Sequence, residues 1–404
     1  MRLRIKEICD YVSRGTTPDY VDEGANKVMN QATFSKGWLD ESNIRYTSKA
    51  NKGARIMKGD LLMASTGGGV LGKVFFFDDD DSFYADSHVT IMRNSKGANL
   101  MKYLYYYFYL RYDEINATMV KGSTNQTELQ RNYLLSYELD VPTLADQQRM
   151  VTYLDTKLSE IDHKVSLLTS KRDAYLRLKK SIINHAVTHG LNTNVKMKDS
   201  GIEWIGEVPE HWEVKRMKDI FIERKELSLT GEEDLLSVSE FYGVARRKDK
   251  MNSDEEFESR ADSLVGYKIC KAHDLVINIM LAWKTGLGIS DNDGIVSPAY
   301  AVYEGRNIAS HFYHYLLRSG MYVKEFKRHS KGIIDSRLRL YNDRFNNISA
   351  IYPPLPEQHA IATYLDDKCA KIDTIVSNLN KQISRYADLK RSLIDEVITG
   401  KRAV

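Results

Sequence analysis

The chain has 404 residues, of which 42% are hydrophobic and 28% charged, and its formal net charge is +3. This length predicts two or three folded domains, and the composition excludes disorder as the default state. Apolar runs such as 103–110 are far shorter than the roughly 18 residues that a membrane span needs, and no signal peptide precedes them, so we expect a cytoplasmic protein without membrane contact.

Residues 1–143 are predicted to form a mixed α+β domain. Short β-branched and aromatic runs alternate there with Gly, Asn and Asp, and an aromatic patch at 100–110 has the character of a helix.

The glycine-rich segment Gly67–Lys73 resembles part of a phosphate-binding loop, because it reads GxxxxGK. Two features contradict that reading. Val74 stands where the loop requires Ser or Thr, and the run that follows, VFFF, favours a strand over the helix that would hold phosphate. We therefore predict a tight hairpin, or a close approach to another backbone, at this segment.

A long helix is predicted at 144–190 and a second at 356–404. Asp146 can cap the first, while Pro356 and Glu357 suit the first turn of the second. Apolar residues follow steps of four and three along both helices, so we expect them to pair as an antiparallel coiled coil of about 43 residues each. The seam residues are Leu154, Leu158, Ile161, Val165 and Leu168 in the first helix, and Leu365, Cys369, Ile372, Val376, Leu379, Ile383 and Tyr386 in the second.

The chain contains an internal repeat. A shift of 211 positions lays Val141–Thr188 over Tyr352–Thr399 without a gap, and about 19 of 48 positions are identical. The blocks before the helices also correspond, since Arg2–Ile8 resembles Val214–Ile220. The repeat predicts two α+β domains related by a pseudo-twofold axis.

Residues 191–355 are predicted to comprise a linker and the second α+β domain. The stretch Gly190–Gly201 has the composition of a linker. Later in this block, Arg318–Arg344 carries eight basic residues against three acidic ones, a local excess that suits contact with phosphates.

The histidines and cysteines do not predict a catalytic or metal site. His185 and His189 are four apart, but the second repeat has Glu396 in place of His185, so we interpret them as helix-end residues. Cys9, Cys270 and Cys369 have no CxxC spacing and are predicted to be small buried hydrophobes.

Longer strings of residues resemble one family, the DNA specificity subunits of type I restriction-modification systems. Met197–Ile220 looks like the family's start of a target recognition domain, and Pro354–Asp366 looks like its helix start. Lys58–Val74 and DGIVSPAY (293–300) are similar to its recognition-domain core. One departure is that no counterpart of 199–213 precedes Arg2, so the first strand is expected to be shortened or replaced by contacts from the far end of the chain.

The resemblance implies a subunit without catalysis of its own. Each of two target recognition domains would read one half of a split, asymmetric double-stranded DNA site, and the helices would dock two adenine methyltransferase subunits, with two restriction subunits able to join. No cofactor is expected on this chain. S-adenosylmethionine would belong to the methyltransferase subunits, and ATP and magnesium to the restriction subunits.

The predicted DNA contacts are basic, hydroxyl, amide and aromatic residues near predicted turns, types that clamp phosphates or meet base edges. In the first domain they are Arg14, Thr16, Thr17, Ser65, Thr66, Gly68, Lys73, Ser87, His88, Lys121, Ser123, Asn125 and Gln126. In the second they are Arg246, Arg247, Lys248, Asn278, Trp283, Lys284, Ser297, Tyr300, Lys331, Arg337 and Arg339.

Two other hypotheses compete with this one. An enzyme would depend on Gly67–Lys73 and would bind nucleotide specifically. A coiled-coil DNA-binding or interaction protein without a methyltransferase partner would depend on the helices alone and would bind all duplexes equally.

Overall fold

A computed structural model of the chain describes residues 1–49, 51–95, 97–121, 127–250 and 263–404. The chain divides into two compact units. The first unit comprises residues 1–169 and 381–404, and the second comprises residues 170–380. Each unit therefore contains part of both long helices.

The first unit is a mixed α+β structure. Its strands are β1 (Arg2–Arg4), β2 (Tyr11–Arg14), β3 (Tyr20–Val21), β4 (Asn26–Met29), β5 (Arg45–Thr47), β6 (Arg55–Ile56), β7 (Leu61–Ala64), β8 (Val74–Phe76), β9 (Phe83–Ala85), β10 (Val89–Arg93), β11 (Val120–Lys121), β12 (Glu128–Leu129) and β13 (Glu138–Asp140). Its helices are α1 (Ile5–Ile8), α2 (Gln31–Phe34), α3 (Ala98–Tyr109), α4 (Tyr112–Thr118), α5 (Arg131–Ser136) and the start of α6 (Leu144–His189).

The second unit has its own strands and helices. The strands are β14 (Met197–Asp199), β15 (Glu207–Pro209), β16 (Glu213–Arg216), β17 (Phe221–Glu223), β18 (Leu236–Ser239), β19 (Gly243–Arg246), β20 (Lys268–Cys270), β21 (Leu275–Asn278), β22 (Leu287–Ile289), β23 (Gly294–Val296), β24 (Tyr300–Gly305) and β25 (Ser349–Tyr352). The helices are α7 (Met217–Ile220), α8 (Ser310–Leu317), α9 (Gly320–His329), α10 (Asn342–Phe345) and most of α11 (Leu355–Ile398).

The central sheet has the same topology in both units. Its strand order is β2-β10-β7-β8 in the first and β17-β24-β21-β22 in the second, and all neighbours are antiparallel. The inner strands β7 and β21 are buried at every residue, as expected of continuous apolar runs. The sheets and the long helices confirm the predicted α+β class with an internal repeat.

The strand that opens the domain is also repeated. β1 pairs with β13 in the first unit as β16 pairs with β25 in the second. β1 has three residues and β16 has four, and the amino group of Met1 donates to Val141 O at 3.0 Å. The first strand is thus present in a slightly shortened form.

A buried glutamine fixes the start of each long helix. Gln147 Nε2 donates to Pro142 O at 2.8 Å, and Gln358 Nε2 donates to Pro353 O at 2.8 Å. The two glutamines are 3% and 0% exposed. Because they occupy equivalent positions, both units attach the last strand to the long helix with the same bond.

The cap of α6 differs from the prediction. Thr143 Oγ1 accepts from the backbone N–H of Asp146 at 3.2 Å and donates to the Asp146 carboxylate at 2.6 Å. Thr143 therefore caps the helix, and Asp146 is its partner three residues later, an arrangement close to a capping box.

The two long helices run antiparallel within each unit and share its core. In the first unit Leu154 and Ile161 of α6 lie in one hydrophobic cluster with Leu393 and Val397 of α11. Reciprocal ion pairs accompany this packing. Lys390 Nζ lies 2.7 Å from Asp162 Oδ1 in the first unit, and Lys179 Nζ lies 2.6 Å from Asp373 Oδ1 in the second.

No helix among the described residues is long and apolar enough to cross a membrane.

The reciprocal ion pair generates a stability prediction. We expect Lys390→Asp to lower the free energy of unfolding by about 0.5–1 kcal/mol, because it places a second carboxylate opposite Asp162 on a partly exposed helix pair. Adding Asp162→Lys should restore most of the loss. Urea unfolding of the double-mutant cycle tests this, with Lys371 and Asp367, an ion pair within α11, as the control. Strictly additive effects would contradict the interhelical pairing.

Candidate nucleic-acid interface

Three segments of the first unit converge beside the carboxyl end of β7. They are the turn after β7, the residues just before β10, and the segment that contains β11 and β12. Leu129 N–H donates to Ser65 O at 2.8 Å, and Ser65 N–H donates to His88 O at 2.8 Å. The three segments are thus joined through backbone atoms.

The second unit repeats this convergence. Leu340 N–H donates to Ile279 O at 2.8 Å, which attaches the 330–340 loop to the turn after β21. Asn278, the last residue of β21, lies opposite Tyr300 at the start of β24. Leu340 lies 211 positions after Leu129, so the structure anchors equivalent loops with equivalent bonds.

The turn between β7 and β8 is a hairpin, as the sequence predicted, with positive φ at Gly67, Gly69 and Gly72. A strand, and not a helix, follows it. Gly68 is exposed in this turn. Lys73 Nζ donates to Ser35 O at 2.9 Å and lines a different surface, so it is not brought together with the other predicted contacts.

Four predicted residues of the first unit do lie together. Arg14 donates to the carbonyl of Ser87 and forms an ion pair with Glu128. Thr66 Oγ1 lies 2.6 Å from His88 Nδ1, and Thr66 also forms a β-bridge with Glu128. The Arg14–Glu128 pair, which joins residues 114 positions apart, is a contact that sequence reasoning missed.

The buried carboxylate of Asp86 lies next to the group formed by Arg14, Thr66, Ser87 and His88. Asp86 is 2% exposed and accepts from His88 N–H at 2.8 Å and from the Tyr20 hydroxyl at 3.2 Å. Burial raises the pKa of Asp86 from its usual value. Burial also lowers the pKa of Arg14, although the charge of Asp86 opposes that shift. Asp86 thus helps to orient Tyr20 and the backbone of His88 from the interior of the domain.

Other predicted residues of the first domain lie apart or outside the described residues. Thr16 and Thr17 line a separate depression, where Thr16 Oγ1 accepts from Asn51 Nδ2 at 3.2 Å. Lys121 pairs with Glu128 across β11 and β12 and so lies near the Arg14 group. Ser123, Asn125 and Gln126 fall outside the described residues.

Two of the predicted DNA contacts are buried, which corrects the prediction for them. Ser65 is 1% exposed, and its hydroxyl lies 2.6 Å from Thr90 Oγ1. Asn278 is 4% exposed, and its Oδ1 accepts from Met280 N–H at 3.1 Å. Both side chains stabilise the turn that follows the inner strand, and neither presents a polar group to a ligand.

In the second unit a tryptophan lies between two lysines. Trp283 donates from its indole N–H to Met280 O at 3.0 Å, which fixes the ring. Lys284 Nζ lies 4.9 Å and Lys327 Nζ 5.1 Å from ring centroids of Trp283. Lys327 belongs to the basic stretch Arg318–Arg344, although it was not among the individually predicted contacts. Such a half-buried ring with flanking ammonium groups can contact a sugar-phosphate backbone.

A second basic group lies at the end of β19 and in the turn that follows it. Arg246 and Lys248 both pair with Asp234, at 3.3 and 2.7 Å. Arg247 lowers the pKa of Tyr300 against the larger effect of burial, which raises it. Ser297 Oγ accepts from Ala299 N–H at 3.4 Å in the turn before β24.

The remaining predicted residues lie on the loop between α9 and α10. Lys331 and Arg339 exchange backbone hydrogen bonds of 2.9 Å in both directions and close the base of this loop. Arg337 is exposed near its tip. Ile333, which was not predicted, is 99% exposed there.

The predicted helix-end histidines lie near the end of α6, and the predicted burial of the cysteines is confirmed. His185 and His189 stack with ring centroids 5.0 Å apart, and no potential metal cluster of three or more His, Cys, Asp or Glu occurs among the described residues. The cysteines are buried, and burial raises the pKa of Cys9 and of Cys270 to about 12.

Comparison with known proteins identifies the class. The family model described as type I restriction modification DNA specificity domain matches residues 1–167 and 209–385. The chain is 21% identical over 329 residues to the type I restriction enzyme MjaVIII specificity subunit of Methanocaldococcus jannaschii, covering 77% of this chain and 73% of that protein. It is 22% identical over 272 residues to the StySPI specificity subunit of Salmonella potsdam, covering 65% of this chain and 57% of that protein.

A solved structure shares the fold. A chain from a study of complex assembly and conformational transition of the type I R-M system superposes with a TM-score of 0.69 at 13% identity, covering 98% of this chain and 97% of that one. Because two matched segments span most of its length, the chain belongs to the type I restriction-modification specificity subunit family.

The burial of Ser65 generates a prediction. We expect Ser65→Ala to lower the free energy of unfolding by about 1–2 kcal/mol, because it leaves the buried Thr90 hydroxyl without its partner. The DNA affinity of the folded protein should be unchanged. Exposed His88→Ala should behave oppositely, with little change in stability and weaker DNA binding. Thermal unfolding and fluorescence anisotropy distinguish the two, and a loss of affinity in folded Ser65→Ala would contradict the assignment.

Proposed function

We propose that the chain reads a split, asymmetric DNA site and holds modification subunits beside it. The observation that carries this proposal is the repeated convergence of three segments, once in each unit, with different side chains at equivalent places. Two similar scaffolds with different surfaces suit two half-sites of different sequence.

Recognition would divide between phosphates and bases. Lys284, Lys327 and Arg339 supply charge that can meet phosphates and set the register of the protein on the duplex. Side chains at the loop tips and at residues such as His88 would then contact base edges, each correct base pair contributing roughly 1–3 kcal/mol. The long helices would fix the spacing of the two half-sites.

A groove beside the long helices of each unit supports the docking of partner subunits. In the first unit it has a volume of about 950 Å³ and includes Tyr106 and Asp155. In the second it has a volume of about 480 Å³ and includes Tyr315 and Asp366. Each tyrosine donates to the aspartate of its unit, at 2.5 and 2.7 Å. Because the two grooves have equivalent tyrosine–aspartate pairs in their walls, they suit two copies of the same partner.

The chemistry would lie in those partners. S-adenosylmethionine would bind to the modification subunits, and ATP and magnesium would serve restriction subunits where these join the complex. This chain would contribute recognition and assembly, and the target adenine would be flipped into a pocket of the partner.

A domain exchange tests the modular reading. Replacing Met197–Ile351 with the equivalent block of another specificity subunit should rewrite one half of the methylated sequence and leave the other unchanged, because each unit carries its own three-segment convergence. Methylome sequencing of cells that carry the exchanged chain and its methyltransferase gives the answer. A change in both halves of the methylated sequence would show that the two units do not read their half-sites independently.

The docking grooves can be tested separately. Ser159 and Ala370 are exposed, lie 211 positions apart and line the equivalent grooves. We expect Ser159→Arg or Ala370→Arg to remove one of two methyltransferase copies, and the double variant to remove both, because the long side chain fills the groove. Native mass spectrometry measures the stoichiometry. Thr152→Arg and Thr363→Arg, exposed equivalents on the same helices, are matched controls that should retain both copies.

A further inference from the structure

The tip of the 330–340 loop presents two aliphatic side chains to solvent. Ile333 is 99% exposed and Ile334 is 54% exposed. Exposed neighbouring aliphatic residues on an ordered loop indicate a contact surface when they lie within a site.

The loop is held in one conformation by backbone contacts. Its base is closed by the Lys331–Arg339 pair, and Arg337 N–H donates to Ile334 O at 2.9 Å. A Cβ on Gly332 would lie 2.6 Å from Arg337 O, so only glycine allows this close approach. The loop is also attached to the turn after β21 by the Leu340–Ile279 bond. These backbone contacts therefore fix the base of the loop that carries Ile333.

The charge around the tip favours nucleic acid as the occupant. Lys331, Arg337 and Arg339 lie on the loop, and none of them forms an ion pair with the residues that the structure describes. Lys327, beside Trp283, pairs with Asp335 of the same loop at 2.8 Å. An aliphatic tip between unpaired cations suits a groove lined by phosphates.

An isoleucine side chain neither donates nor accepts hydrogen bonds, which limits what it can read. The apolar feature that base edges present in the major groove is the 5-methyl group of thymine. We propose that Ile333 contacts a thymine methyl group in the half-site read by the second unit. This inference rests on the proposed function, because it assumes that the loop faces DNA.

The first unit offers an internal contrast. In its sequence Lys121 is also followed by glycine, but Ser123 and Thr124 then stand where the second unit has Ile333 and Ile334, and residues 122–126 lie outside the described residues. Hydroxyl groups can bond polar base edges, whereas the aliphatic tip cannot. The inference therefore concerns the half-site that the second unit reads.

Deoxyuridine, which lacks the 5-methyl group, provides the test. The probes are duplexes carrying the sequence that the assembled complex methylates, with thymines of one half-site at a time replaced by deoxyuridine. For the wild-type complex, replacement in the second unit's half-site should weaken binding about four- to tenfold, as expected for one lost methyl contact. Ile333→Ala should weaken binding to the thymine duplex by a similar factor and abolish the difference between thymine and deoxyuridine.

Controls separate this inference from its alternatives. Leu229→Ala removes another aliphatic side chain, 88% exposed on a different loop of the same unit, and should change nothing. If Ile333→Ala weakens thymine and deoxyuridine duplexes equally, the residue acts as a wedge or packing contact and the inference is wrong. It is also wrong if the half-site contains no thymine. Unspecific methylation by the wild-type complex would instead refute the proposed function.

Discussion

Each recognition domain shares its hydrophobic core with both long helices. Tyr103 of the first domain lies in one buried cluster with Leu158 of α6 and Ile394 of α11. In the second unit Val187 of α6 and Leu365 of α11 lie in one buried cluster with residues of α8. Burying such a side chain contributes roughly 1.5–3 kcal/mol, so turning a domain on its helices would expose several of them at once. The orientation of each candidate interface is therefore fixed to its segment of the helix pair.

The regular parts of this architecture were predictable because they depend on local periodicity. The steps of four and three between apolar residues predicted two long helices, and the repeat at a shift of 211 predicted two similar domains. The helices and the repeated domains both depend on the spacing of apolar residues along the chain, which can be read directly from the sequence. The hairpin at Gly67–Lys73 was predictable for the same reason, since glycine spacing and a following strand former exclude a phosphate-binding loop.

The chemistry of the site was less accessible, because burial depends on contacts distant in sequence. Ser65 and Asn278 looked like surface residues, but Ser65 directly follows the inner strand β7, Asn278 ends the inner strand β21, and both side chains are buried. Lys73 points to a groove and not to the cluster of Thr66 and His88. Ile333 has no polar group that would mark it in the sequence, and only its exposure in the structure identifies it.

The loops of the candidate interface are anchored by main-chain atoms. Leu129 N–H meets Ser65 O, and Leu340 N–H meets Ile279 O, so the attachment does not depend on which side chains the loop tip carries. Substitutions at the tip can then accumulate without loss of the underlying sheet. Such a scaffold lets a lineage acquire new sequence preferences by small steps, each of which leaves a folded and assembling protein for selection to act on.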